Sequence, residues 1–462
     1  MAADADSDPV LQAGAATSNI TPPLGERIVG GFYPNPAEHV HDELHARCLV
    51  LDDGETRLAL VVCDLLGIGT PLSSHIRELV EQQTGIPAGH VLLAATHTHS
   101  ATSVLGPNRY SLEHELSDYQ RFVARRVADG VQRAINQLEP ARIAWGAAEE
   151  PRHVFNRRWH MKPDTAPPTP FGHTDPVVMN PGGQRDNLDR PAGPVDPEIS
   201  FLYVQAVEDD RPLSLLACYS LHYVGGIPGD TISADYFAVF AAEMERRLGA
   251  RDQAPPFVGI LTNGASGDVN NIDFTSERPR RERYERMREV ASDVADQVEA
   301  RIGEGLEFLD HVRLAADFRE VEVPQRKPDE GQLAWAREIA ALPEDHAFSD
   351  RRTPVYARRW LELHESPDHM RFPLQVMRIG GVGIATMPGE VFAETGLDFK
   401  QRHGLDHAFI ISMAQGYLGY FPPARHFELG GYETWLSTSR IPEGELEKLV
   451  DTLLEMLDGL EP

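Results

Sequence analysis

The sequence predicts an α/β fold, a single large domain over residues 1–462 in which a mixed β-sheet is flanked by helices. Three observations predict it. Buried apolar runs of strand length alternate with stretches of helical periodicity along most of the chain. Residues 58–63, 71–84 and 91–95 read as strand, helix and strand, a unit whose crossover makes its two strands parallel. No internal repeat appears, nor any linker strong enough to divide the chain, and 462 residues with 41% hydrophobic content can bury a large core.

Taken in order, a polar N-terminal tail precedes apolar runs at 46–52 and 58–63, which the Asp53-Gly54 turn signal joins as paired strands, the second ending in Asp64. Leu72, Ile76, Leu79 and Val80 share one face of helix 71–84, which stops at Gly85. Strand 91–95 then leads into Thr96-His97-Thr98-His99-Ser100, and an extended chain would present both imidazoles on one face. His39, His41 and His45 fit no strong ligand motif and read as structural or solvated. A long amphipathic helix is expected at 112–138 and a strand at 141–145. Residues 151–197 are dense in Pro and Gly and lack periodicity; they read as a long lid or substrate-wall loop carrying Asn156-Arg157-Arg158-Trp159-His160.

Strands follow at 199–207 and 212–221, the second running into His222-Tyr223. Ser233 is placed to cap a helix with Phe237, Phe240, Ala241, Met244 and Leu248 on its inner face. Strand 257–261 ends in a small-residue loop, 262–271, which lets backbone approach closely. Beyond it come helix 284–302, strand 312–323, charged helices at 330–342 and 353–364, and strands at 372–379 and 382–386. The last of these enters Pro388-Gly389-Glu390 and a helix with Phe392 and Phe399 inward. Strand 408–412 leads to Gln415-Gly416-Tyr417-Leu418-Gly419-Tyr420, and helix 443–457 closes the fold.

Composition narrows the function. With 43 basic against 71 acidic residues, a formal charge of −28, neither nucleic acid nor anionic membrane is a general partner. Cys48, Cys63 and Cys218 lie in apolar runs without CxxC spacing, against disulfides and thiolate zinc sites. The acidic N-terminus lacks a basic n-region and an apolar h-region, and no apolar run reaches membrane-spanning length, so the expectation is a cytoplasmic chain without stable membrane insertion. Homo-oligomer formation stays open.

Successive buried strands end in polar residues set among glycines: Asp64, His97, His222, the 263–271 loop, Glu390, and Tyr417 or Tyr420. Two imidazoles, a carboxylate and a phenolate satisfy a zinc ion and leave room for water, whose pKa zinc lowers toward neutrality. That is a hydrolase design. Competing motifs fail: His99-Ser100-Ala101-Thr102 is not the metallo-β-lactamase continuation, and Gly264-Ala265-Ser266-Gly267 is not a serine-nucleophile elbow. The β/α spacing and lysine of barrel amidohydrolases are missing, and Gly380-Gly381-Val382-Gly383 sits between two strands, where no nucleotide turn belongs.

Ala95-Thr96-His97-Thr98-His99-Ser100, Asn156-Arg157, His222 at a strand end, Gly267-Asp268-Val269, Pro388-Gly389-Glu390 and the Tyr417, Tyr420, Tyr432-Glu433 series together resemble the catalytic domain of neutral/alkaline non-lysosomal ceramidases. The matches run in the same order from about residue 46 to residue 432. The resemblance implies that His97, His222, Glu390 and Tyr420 bind Zn2+, and that His99, Arg157 and Tyr432 face the substrate's amide and head group. Asn270 stands where the family has serine after Gly-Asp-Val, and it keeps a hydrogen-bond donor for the substrate. Phe421-Pro422-Pro423 and Thr434 also depart from the family pattern, and no C-terminal immunoglobulin-like domain is expected.

The expectation is therefore a zinc-dependent hydrolase of an amide bond in a small N-acyl or lipid-like substrate. His99 would assist proton transfer or stabilise the oxyanion, and Arg157 would orient a polar or anionic part of the substrate. Two alternatives stay open: an esterase, lactonase or sugar-bond hydrolase on the same scaffold, and a catalytically silent metal-binding homologue, for which Asn270 is the motive.

Overall fold

Side chains that alternate along the strands are buried on both faces, and this fixes how the molecule is layered. The computed structural model describes residues 9–460 apart from 33, 107–114, 278 and 344. Eight strands, β1 (Gln12–Asn19), β2 (His45–Asp52), β3 (Arg57–Cys63), β4 (Val91–Ala95), β5 (Glu139–Glu149), β6 (Glu198–Ala206), β7 (Pro212–Tyr219) and β8 (Val258–Asn263), form one mixed sheet in the order β8-β7-β6-β5-β1-β2-β3-β4. A second sheet holds β9 (Leu314–Pro324), β10 (His369–Ile379), β11 (Val382–Thr386) and β12 (His407–Ile411) in chain order. The main helices are α1 (Thr70–Thr84), α2 (Asp118–Ile135), α3 (Asp235–Arg247), α4 (Glu285–Gly303), α5 (Glu330–Ala340), α6 (Thr353–Glu365), α7 (Ala393–Arg402) and α8 (Glu445–Asp458). None of them is long and apolar enough to cross a membrane.

Period-two alternation sends Cys48, Val50, Val61 and Cys63 toward Ile76 and Val80 of α1 and Val123 and Val127 of α2. Leu49, Leu51, Leu60 and Val62, on the opposite face, pack on Met377, Ile379, Ile384, Phe409 and Ile411 of the second sheet. Helices α3 and α4 cover the other half of the large sheet, and α7 and α8 cover the outer face of the small one. The layers are thus helix, sheet, sheet, helix. The expected mixed sheet flanked by helices is present, and a second sheet packs on it.

Only three strand pairs in these sheets are parallel: β3 with β4, β7 with β8, and β11 with β12. Helices α1, α3 and α7 make the three crossovers. The ends of α1 follow from sequence: proline sits in its first turn, and Gly85 at φ 76° closes it in a left-handed cap. Helices α2 and α5 start on capping boxes, Ser117 with Gln120 and Asp329 with Gln332.

Three expectations change. The polar tail contains β1, a central strand; its small residues are required because a Cβ at Gly14 would come within 2.2 Å of Ala134 O on α2. The helix expected at 112–138 begins only at Asp118, where Ser117 caps it, and residues 112–114 lie outside the described residues. Residues 151–197 are not a bare loop: Arg158–Met161 pairs with Val177–Met179 and Leu188–Pro191, and Phe155–Asn156 pairs with Val269–Asn270. Strands of two to four residues leave too short a pattern to read.

Candidate functional site

Members of all three parallel pairs end at one place, because hydrogen bonds knit their exits together. Gly264 N donates to Tyr219 O at 3.0 Å, Ser412 N to Asn263 O at 2.9 Å, Gln415 N to Leu93 O at 2.7 Å and Met413 N to Gly389 O at 3.2 Å. The segments that follow β4, β7, β8, β11 and β12 therefore converge.

His97 departs from the extended conformation expected of it. Its φ is +68°, a left-handed conformation uncommon for a side-chain-bearing residue, and its N–H donates to Leu65 O at 2.9 Å. The turn brings its Nδ1 within 2.6 Å of Leu66 O, while His222 Nδ1 lies 3.2 Å from Ser266 O. With Nδ1–H donated to a carbonyl, each ring presents an unprotonated Nε2. The two Nε2 atoms then lie 3.5 and 3.6 Å from the same atom, Glu390 Oε2.

Glu390 is 3% exposed, and its Oε1 accepts a 2.8 Å hydrogen bond from the Tyr417 hydroxyl. Its Oε2 accepts no hydrogen bond among the described residues, and Arg157 Nη2 stands 3.9 Å from it. Burial pushes the Glu390 carboxyl up, but His97 and Arg157 outweigh that and hold it below the usual range. Burial, together with Arg157 and His97, holds His222 well below the usual imidazole value. A neutral His222 imidazole and an ionised carboxylate whose buried oxygen accepts no hydrogen bond among the described residues are states a divalent metal requires, so the donor set fits one. Tyr420 sits beside Glu390 by register, since Glu390–Val391 pairs in parallel with Tyr420–Phe421. Gly267 permits the approach from the other side: a Cβ there would lie 2.7 Å from Glu390 O.

His99 Nε2 is 3.2 Å from His97 Nε2, and its ring stacks on Tyr223 at 3.7 Å. Gly30, at φ +139°, leaves it room; a Cβ there would meet His99 Cβ at 2.6 Å. Burial, then His97 and Arg157, hold His99 well below the usual value. Ring nitrogens of His97, His99 and His222 lie within 4.8 Å of one another, so proximity alone does not separate His99 from the metal-ligand candidates.

Arg157 is committed to the protein. Its Nε donates to Glu433 Oε1 at 3.2 Å and its Nη2 to Gly267 O at 2.7 Å and to Tyr420 Oη at 3.0 Å, while Nη1 lies 3.4 Å from His222 Nε2. Tyr432 is T-shaped to Tyr420, ring centroids 5.5 Å apart, and lines a cleft of about 510 Å³ together with His97, His99, Glu390 and Tyr420. Asn270 does not line that cleft: its amide donates to Asn180 Oδ1 at 2.6 Å, and its own Oδ1 accepts from Ile272 N. Asp64 turns instead to Arg47 and to His45 N.

Two partners escaped sequence reasoning. Tyr223 follows His222 directly, and that adjacency is the signal that could have found it as the platform under His99. Glu433 bridges Arg157 and the fully buried Arg158, whose Nη1 it meets at 2.6 Å. The adjacent arginines at 157–158 were the signal, since two buried guanidinium groups need an anion.

Comparison with known proteins bears on the family and the fold. The family model described as "Neutral/alkaline non-lysosomal ceramidase, N-terminal" matches residues 11–277. The crystal structure of neutral ceramidase from Pseudomonas aeruginosa superposes with a TM-score of 0.71 at 16% identity, over 98% of this chain and 74% of that one. A ceramidase complexed with C2 gives a TM-score of 0.71 at 16% identity, over 97% and 75%. At that identity the structural likeness concerns the fold.

Proposed function

The chain belongs to the neutral/alkaline non-lysosomal ceramidase family, and on that premise we propose that it hydrolyses the amide bond of an N-acyl, lipid-like compound at a zinc centre. One observation carries the reading: Glu390 Oε2, buried and accepting no hydrogen bond among the described residues, faces the Nε2 atoms of both His97 and His222. These three residues and Tyr420 would hold the metal. When bound, zinc polarises an amide carbonyl and brings the pKa of water toward neutrality.

The chain's own groups do the rest. His99, kept neutral by its surroundings, accepts a proton at Nε2 as water adds to the carbonyl carbon, and returns it to the amide nitrogen as the C–N bond breaks. A carboxylic acid and an amine leave. Tyr223 holds the His99 ring by stacking. Arg157 acts as a positioning residue, fixing Tyr420 and standing against His222. Tyr432 contributes to the wall against which the substrate lies. The test is hydrolysis of matched N-acyl amides and esters of graded chain length by purified protein. Amide turnover that disappears with chelator and returns with zinc supports the proposal; ester turnover alone would move it to an esterase.

A further inference from the structure

One wall of the cleft is cationic, and the candidate metal site does not use it. Helix α6 places Arg358, Arg359 and Glu362 on the cleft lining. Arg358 lies 3.8 Å from Glu362 and is largely exposed. Arg359 differs: it is half-buried, its guanidinium lies over Phe32 at 5.5 Å and Tyr356 at 5.7 Å from the ring centroids, and no carboxylate stands at ion-pair distance among the described residues. A guanidinium packed against aromatic rings and without an ion-pair partner among the described residues keeps N–H donors available, and its planar fork matches the two oxygens of a carboxylate or a phosphate.

The setting sharpens the point. The chain carries a formal charge of −28, so anions are repelled in general and an unanswered guanidinium inside a cleft is a local exception. The other cation near the candidate centre, Arg157, has its donors taken by Glu433, Gly267 and Tyr420. Val29, Leu66 and Leu105 give the same cleft an apolar side. Phe32 meets Tyr432 at 6.1 Å, and Tyr432 meets Tyr420 at 5.5 Å, so Arg359 is linked to the candidate centre by a row of rings.

We infer that Arg359 is a specificity-determining residue and that the substrate is an N-acyl amine bearing an anionic oxygen group, carboxylate or phosphate, away from the scissile amide. The inference rests on the cleft being the amide site proposed above.

Its test uses ketone isosteres, in which CH2 replaces the scissile N–H so that nothing is hydrolysed, ending in a primary alcohol, a carboxylate or a phosphate monoester. Titration calorimetry on the purified protein should show one anionic isostere binding about tenfold or more tighter than the alcohol. The tighter of the two identifies the group. In Arg359→Gln the ratio of the Kd values should fall to within about twofold, and Arg359→Lys, which keeps the charge, should retain part of it. A merely structural role would weaken all three ligands together and leave the ratio unchanged. Equal binding of the three by the wild-type protein, or a preference that survives Arg359→Gln, overturns the inference. Failure to turn over the corresponding amides with the preference intact counts against the proposed hydrolysis alone.

Discussion

His97 faces Glu390 where His99 stacks on Tyr223, and the roles proposed for the two divide on that contrast. His97 gives Nδ1 to a backbone carbonyl at 2.6 Å and turns Nε2 to Glu390, whereas His99 lies half-buried on Tyr223 at the cleft. His97→Ala should therefore lose both metal and turnover. His99→Ala should keep its metal while turnover falls by about two to four orders of magnitude, the span of a general acid–base group. Metal analysis beside a rate assay on the same preparations checks both, and loss of metal from His99→Ala would make it a ligand. Away from the centre, His426, then Arg425, hold the Glu394 carboxyl down to about 2 from 4.5, against the effect of burial. A folded pKa below the unfolded one stabilises above pH 4.5, and that contribution is lost as pH falls toward 2. The stability difference between wild type and Glu394→Gln should accordingly be full above pH 4.5 and shrink below it in urea melts; a difference independent of pH would contradict the pairing.

At the level of elements, the strand exits hold the site together, and Gly267 is where two of them touch. Its N–H donates to Val391 O at 2.6 Å, and a Cβ would press on the Glu390 carbonyl, which is backbone and cannot rotate aside. Gly267→Ala should thus weaken metal binding and cost about 1–3 kcal/mol in denaturant unfolding; unchanged metal affinity would mean that Glu390 is not held by this contact. The elements themselves were legible in the residues wherever an apolar run met a turn signal: β3, α1 and β4, the start of α5, and the strand exits at His97, His222 and Glu390. What escaped depends on neighbours far along the chain. β1 reads as a polar tail because α2 crowds it into Ala and Gly, and the left-handed turn at His97 is set by Cys63 and Leu65 backbone, which no local pattern contains. The short strands within 151–197 pair with one another and with Val269–Asn270, contacts invisible to periodicity. Arg157 looked free to meet a substrate because the acid that claims it, Glu433, is 276 residues away.

For the whole molecule, two sheets pressed face to face bring His97 and His222 from the large sheet to Glu390 and Tyr420 from the small one. The centre depends on that packing, since Leu49, Leu60 and Val62 of the one sheet and Met377, Ile384 and Phe409 of the other form a single apolar core. The layered fold is common to the ceramidases it superposes on. The account's central claim is that this junction holds a zinc ion that the amide reaction needs. Elemental analysis of the purified chain, with hydrolysis of an N-acyl amide followed before chelation, after it and after zinc is restored, tests it most directly. The account predicts one metal ion per chain and turnover that is lost and regained with it; amide hydrolysis undiminished in protein shown to be metal-free would contradict it.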